Sequence, residues 1–164
     1  MQVKYESQVL FYVERPSINK NSAYYSVVWN KLTGELHPTN PITVHWVMWE
    51  KDATGNTTES LTRLEEAYVY GIRLEVQNTT PPRQTFHIVS MSGNPITVFF
   101  SPTHQVWKAG MTFQFPLSLH HISATIKNRI GIVPTVTDLV VHGFNNRGEE
   151  VSRVITVNRS LLLV

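Results

Sequence analysis

Residues 40–49 read NPITVHWVMW, and the way their side chains divide decides what kind of domain this is. Ile42, Val44, Trp46 and Met48 fall on one side of an extended chain, and Thr43, His45, Val47 and Trp49 on the other. Successive strand side chains point to opposite faces, so this is a strand that is apolar on nearly both sides. Asn before Pro favours a turn, Pro fixes φ where a strand begins, and Ile-Thr-Val is β-prone. The pentapeptide NPITV returns at 94–98, but HWVMWEK follows the first copy and FFSPTHQ the second. A duplicated unit carries similarity across a whole supersecondary element. The repeat is therefore expected to be one turn-to-strand switch used twice.

The same two-residue rhythm runs outward from this stretch. Tyr68, Tyr70, Ile72, Leu74 and Val76 alternate with Val69, Gly71, Arg73, Glu75 and Gln77. Met111, Phe113 and Phe115 alternate with Thr112 and Gln114, and Ile122, Ala124 and Ile126 with Ser123 and Thr125. Val151, Ile155 and Val157 share a face with Arg153. Leu32-Thr33-Gly34, Ser92-Gly93-Asn94, Lys108-Ala109-Gly110 and Asn145-Asn146-Arg147-Gly148 supply residues that tolerate positive φ in tight hairpins. Short strands with frequent turn signals predict a mainly β domain, an antiparallel β-barrel or β-sandwich.

One segment departs from the pattern. Leu61, Leu64 and Tyr68 recur at helical spacing, Thr58 or Ser60 can cap the start, and Glu59 suits a first turn. A short helix over about residues 59–66 is expected, packed against the sheet and feeding a strand over 68–76.

The 164 residues suit a single domain over 1–164, with a core over about 8–157 and a short tail at 158–164. Hydrophobic residues make up 41% and charged residues 16%, too apolar and too weakly charged for disorder. The net charge is +2, and the 14 Lys and Arg form no cluster, so no nucleic-acid partner is expected. Without cysteine there are no disulfides, thiol catalysis or Cys-based zinc sites. No apolar run approaches the roughly 20 residues of a membrane span. The opening MQVKYESQVLFYVE lacks a basic region followed by an apolar one, which favours a cytoplasmic chain. Sequons at Asn56, Asn78 and Asn158 matter only for an exported protein.

Seven histidines invite a metal or catalytic reading. His120 and His121 are adjacent, and on a regular strand they face opposite ways, so they are not expected to chelate one ion. His45, His87 and His142 sit in strand-like runs. There is no His-Glu-x-x-His, EF-hand loop, Gly-x-Ser-x-Gly or glycine-rich phosphate loop, so no metal, cofactor or catalytic residue is assigned. The aromatics are the remaining clue. Exposed, they stack sugars or bases; enclosed, they line a pocket; otherwise they are packing. Candidate ligand- or partner-binding residues are His45, Trp46, Trp49, Tyr68, Tyr70 and His142. With Trp46 inward, Trp49 lies on the other side with His45.

Two blocks of residues carry a resemblance. The first is NPITVHWVMWE at 40–50, continued by LTRLE at 61–65 and AYVYGI at 67–72. The second is ISATI at 122–126, with VVHG at 140–143 and NRGEEV at 146–151. Across about Ser17 to Ile155 the chain resembles the DUF4833 domain family, whose members have a similar "NPV-V-W" strand and "LT-IER--AYG" helix-to-strand segment. They also carry an "ISA-I" strand and a "VEL-G-D---G-EV" hairpin. Departures are a longer loop at Gln77 to Arg83, with Asn78-Thr79-Thr80-Pro81-Pro82, and Pro134, which falls where a member continues its strand. The resemblance implies a compact β-rich domain with one helix and no particular activity.

The residues favour a non-catalytic binding or assembly module with protein partners in a larger assembly. The alternative is a carrier barrel for a small apolar ligand, lined by residues such as Trp46, Tyr70 and Ile122. Further readings are a carbohydrate-binding module, which needs coplanar exposed rings, and an enzyme with His45 or His142 as general base, which needs a carboxylate partner.

Overall fold

The computed structural model describes residues 4–14, 22–47, 58–75, 82–113, 115–130 and 133–160. In chain order the strands are β1 (Tyr5–Glu14), β2 (Ser22–Asn30), β3 (Ile42–Val47), β4 (Thr58–Glu59), β5 (Ile72–Leu74) and β6 (Arg83–Ile88). They continue with β7 (Ile96–Ser101), β8 (Val106–Thr112), β9 (Pro116–Ile130), β10 (Val133–Phe144) and β11 (Glu150–Ser160). The one α-helix among the described residues is α1 (Arg63–Tyr68). It is too short to cross a membrane.

The eleven strands among the described residues join one sheet, ordered β4-β3-β2-β1-β9-β8-β7-β6-β5, with β10 on β9 and β11 on β10. The sheet curls into a half-barrel. Neighbouring strands run antiparallel except β1 and β9, which pair in parallel through Tyr12–His121 and Val13–Ile122. β9 is the hinge of the topology. Ser118 pairs with Gly110 of β8 on one edge and with Phe144 of β10 on the other. Where β1 takes over from β8, the Gln8 side chain bridges the seam. Its Nε2 donates to Trp107 O at 2.8 Å and its Oε1 accepts from Trp107 N at 2.9 Å. The amide thus stands in for a missing rung of backbone pairing.

The inner face is filled by side chains. Phe11 of β1 stacks on Tyr25 of β2 at 4.8 Å and 7°, and Phe86 of β6 completes the trio at 6.4 Å from each. Around them Val27, Ile88, Ile96, Val98, Ile122 and Val141 are fully buried. Burying each such side chain stabilises the fold by about 1.5–3 kcal/mol. Both copies of NPITV behave alike: Pro41 and Pro95 immediately precede the first residues of β3 and β7. Gly34 and Gly148 have φ of 78° and 75° in their turns, where a side chain would be strained.

The helix begins later than the spacing of Leu61, Leu64 and Tyr68 predicts. Thr62 is the N-cap, not Thr58 or Ser60. Thr62-x-x-Glu65 forms a capping box, with Glu65 N donating to Thr62 Oγ1 at 3.2 Å and Thr62 N to Glu65 Oε1 at 2.8 Å. Thr58 and Glu59 pair instead with Val47 and Trp46 as β4. The helix therefore takes Tyr68, and the strand expected over 68–76 shortens to Ile72–Leu74. Gly71 makes the change of direction possible, because a Cβ there would lie 1.7 Å from Glu66 O. Pro134 is accommodated within β10, opposite Arg129.

Candidate functional site

On the face away from the core, five strands each contribute a ring at matching register. His45 of β3 is paired with Tyr24 of β2, and Tyr24 with Tyr12 of β1. Tyr12 is paired with His121 of β9, and His121 with His142 of β10. The neighbours of these residues along their strands point inward: Phe11 and Val13, Ala23 and Tyr25, Ile122, and Val141 are buried. Strand alternation alone thus places the row on the outer face.

The rings face one another. Tyr12 lies 5.2 Å from Tyr24 at 15°, and 5.1 Å from His121 at 8°. His121 lies 4.3 Å from His142 at 12°, and Tyr24 tilts towards His45 at 6.5 Å and 36°. Near-parallel rings this close cannot lie side by side in one plane, so they stack. Their faces are therefore turned to one another. Each cross-strand pair adds about 0.2–1 kcal/mol to the sheet.

At its β9–β10 end the row widens because the strand is bulged. Val141 pairs with Ile122 and His142 with His121, but Gly143 pairs with Leu119, so His120 has no opposite residue. A bulge of this kind turns two consecutive side chains the same way. Leu117 and Leu119 are buried, His120 is exposed, His121 is half-buried and Ile122 is buried. His120 and His121, expected on opposite faces, therefore share one. Their Nδ1 atoms are 2.8 Å apart, within hydrogen-bond reach, and their rings meet edge to face at 79°. Gly143 is what lets the bulge close, since a Cβ there would sit 2.0 Å from Ser118 O.

His142 is held at both nitrogens, with Nε2 2.9 Å from Ser123 Oγ and Nδ1 3.2 Å from Ser152 Oγ. A cavity of about 170 Å³ opens beside it, lined by His120, His121, Phe144, Glu150 and Ser152 among others. Partial burial lowers the pKa of His121, with smaller contributions in the same direction from His142 and His120 against an opposing one from Glu14. His45 is lowered by burial alone. Burial, then Glu14 and Tyr24, raise the Tyr12 phenol. These imidazoles favour the neutral form. Among the described residues no three His, Asp or Glu side chains form a group able to hold a metal.

The expected site residues divide between places. His45 and His142 are in the row. Trp46 and Tyr70 are 4% and 2% exposed and belong to the core, their rings edge to face at 4.9 Å. Trp46 Nε1 donates to Glu65 Oε1 at 3.1 Å, and Tyr25 Oη donates to Tyr70 O at 2.5 Å, so this group ties α1 to the sheet. Trp46, Tyr70 and Ile122 are absent from the lining of the three cavities beside β3 and α1, over β7 and β8, and next to His142. Tyr68 is the last residue of α1, and Trp49 lies outside the described residues. Tyr12, Tyr24, His120 and His121 complete the outer site, although none of them is among the candidate binding residues read from the sequence. A larger groove of about 810 Å³, with Phe99, Lys108 and Arg147 in its lining, lies over β7 and β8 and touches none of the expected residues.

Residues 11–153 match the family model described as Domain of unknown function (DUF4833). The match covers most of the chain, which therefore belongs to that family. No curated protein and no solved structure matches the chain.

Proposed function

We propose that this member of the DUF4833 family is a non-catalytic binding module whose recognition surface is the row His45–Tyr24–Tyr12–His121–His142. The carrying observation is the register: five strands bring five rings into one line on the outer face. The occupant is a partner polypeptide with a polar segment that meets the row. Tyrosine is enriched at protein interfaces because it joins a rigid apolar body to a hydrogen-bonding tip. Partial burial favours the neutral form of His45 and His121, and a neutral imidazole both donates and accepts.

The geometry weighs against the other readings in particular ways. Sugar stacking requires open ring faces, and here the faces are turned to one another. General-base chemistry at His142 lacks the orienting carboxylate, because serine hydroxyls stand at both nitrogens. A carrier needs a cavity of about 300 Å³ or more inside the sheet, where Phe11, Tyr25 and Phe86 stand packed instead.

The test is capture of partners from the source cell by the intact protein, by Tyr12→Ala and Tyr24→Ala, and by Leu64→Ala on the exposed side of α1. The proposal expects one partner held by the intact protein and by Leu64→Ala and lost from both row variants. Capture that ignores the row, or that Leu64→Ala abolishes equally, overturns it.

A further inference from the structure

We infer that the groove over β7 and β8 is a second recognition site, which takes an extended acidic segment of a partner protein. The inference does not rest on the ring row, because none of the five row residues lines this groove.

Strand alternation and register build the groove. Ile96, Val98, Trp107, Ala109 and Leu117 are buried, so Thr97, Phe99, Lys108, Gly110 and Ser118 beside them face outward. Pairing lines up Thr97, Gly110, Ser118 and Phe144 across four strands, and sets Phe99 opposite Lys108 two residues along. Gly110 keeps the floor low. It brings no side chain, and a Cβ there would meet Phe99 Cε1 and Leu117 O at 3.5 Å. Two hairpins bound the floor, with His104 in the β7–β8 connection and Arg147 in the β10–β11 turn. The space enclosed is about 810 Å³.

Charge selects the occupant. Lys108 and Arg147 line the groove, and no Asp or Glu does. The ion pair among the described residues is Lys31–Glu6, away from here, so both groove cations are unpaired among them. The carboxylates nearest Arg147 in sequence are engaged elsewhere. Glu149 Oε1 accepts from Asn145 Nδ2 at 3.3 Å, and Glu150 lines the cavity beside His142. Arg147 can hold a carboxylate through two parallel N–H bonds, and Lys108 offers a point charge.

Length selects its shape. From Thr97 to Phe144 the floor crosses three interstrand steps, about 14 Å at about 4.8 Å each. That is about four residues of extended chain at roughly 3.3 Å per residue. A small inorganic anion would leave most of it empty. Lys108 stands about 6.6 Å along β8 from Gly110, off the line that ends at Phe144, so the two cations enter from different sides of the floor. An extended segment with a carboxylate at alternate residues repeats its charge at about the same 6.6 Å. Phe99, 39% exposed, leaves ring surface beside Lys108 for the methylene groups of such side chains.

The test is binding of a fluorescein-labelled, end-capped peptide of alternating glutamate and valine, followed by anisotropy at low ionic strength. The expected result is one peptide per chain, weakening as salt rises, and affinity about fivefold or more lower in Lys108→Gln and in Arg147→Gln. Lys31→Gln removes the same charge away from the groove and should bind as the parent does. Gly110→Val keeps both cations, fills the floor and should also bind more weakly; circular dichroism checks that it folds. The peptide with glutamine in place of glutamate should not bind. No binding by the parent, equal weakening in Lys31→Gln, or unchanged binding in Gly110→Val overturns the site. So does displacement of the peptide by inorganic phosphate where chloride of equal ionic strength has no effect, which would make it a small-anion site. Tyr12→Ala leaves the groove intact, so peptide binding retained there while partner capture is lost separates the two sites.

Discussion

Replacing Gly143 by alanine tests the bulge on which the outer site rests. The added Cβ would lie 2.0 Å from Ser118 O, 2.6 Å from Leu117 Cδ2 and 2.9 Å from Ser118 C. Leu117 can turn aside; the Ser118 carbonyl is backbone in the neighbouring strand. To restore an ordinary carbon–oxygen contact of about 3.3 Å, that oxygen must recede by about 1.3 Å. Phe144 pairs with Ser118 next to this contact, so the movement loosens the β9–β10 pairing where the bulge closes. Overpacking typically costs about 1–3 kcal/mol, and backbone involvement puts this case near 3. At about 2–4 °C per kcal/mol for a chain of this size, the thermal midpoint falls by about 6–12 °C. Thermal unfolding by circular dichroism measures it. Gly93→Ala is the control, because nothing lies within 4 Å of its added Cβ. The histidine Cε1–H resonances should shift for His120, His121 and His142 and stay in place for His37. If Gly143→Ala melts within about 1 °C of Gly93→Ala, Gly143 does not lie over Ser118 and the bulge is elsewhere.

Three further outcomes follow from the same geometry. Glu65→Ala removes the acceptor shared by Thr62 N and Trp46 Nε1 and should destabilise by about 2–4 kcal/mol in urea unfolding, with Glu65→Gln losing less than half of that. Tyr25→Phe deletes the hydrogen bond to Tyr70 O and should cost about 1 kcal/mol in the same assay; a neutral result would show that the bond adds nothing to packing. For pH, His45 and His121 have folded-state pKa values below the ordinary one, so the unfolded chain binds more protons as acid is added. Their stabilising effect is present above about pH 6.5 and is lost as pH falls below it. The melting temperature should therefore drop between pH 7.5 and 5.5, less steeply in His45→Gln; a flat or inverted profile contradicts the direction of both shifts.

Much of the fold is legible because strands write themselves with a period of two. In Ile42–Val47 the sides come out as read at Ile42 and Trp46, which are buried, and at Thr43 and His45, which are half-buried. Val47 on the His45 side is buried too, and Val44 on the Trp46 side is only half-buried. Both NPITV copies switch turn to strand, as proline geometry requires. The stretch 58–76 was less legible, because Tyr68, Tyr70 and Ile72 keep strand rhythm while Thr62 and Glu65 write a capping box. The box prevailed: it satisfies backbone donors and also gives Trp46 a partner, a contact 19 residues away. The bulge had a sequence trace too. Leu117 and Leu119 set one phase, and Ile122 resumes inward-facing burial three residues later. That slip falls on His120–His121, and a regular strand read through it sends the two histidines apart.

One expected turn, Lys108-Ala109-Gly110, lies inside β8 and pairs with β7. By itself the sequence determined a β-rich chain with one short helix and turns at Leu32–Gly34, Ser92–Asn94 and Asn145–Gly148. Those are local properties, fixed by side-chain alternation and by what proline and glycine permit. Only the tertiary structure decided that Tyr12 meets His121, because a parallel pairing between β1 and β9 joins residues more than a hundred positions apart. It also decided that Trp46 and Tyr70 are core and that His45, Tyr24, Tyr12, His121 and His142 form one line. Register between strands depends on how the whole sheet closes over its buried face, and no single strand contains that information.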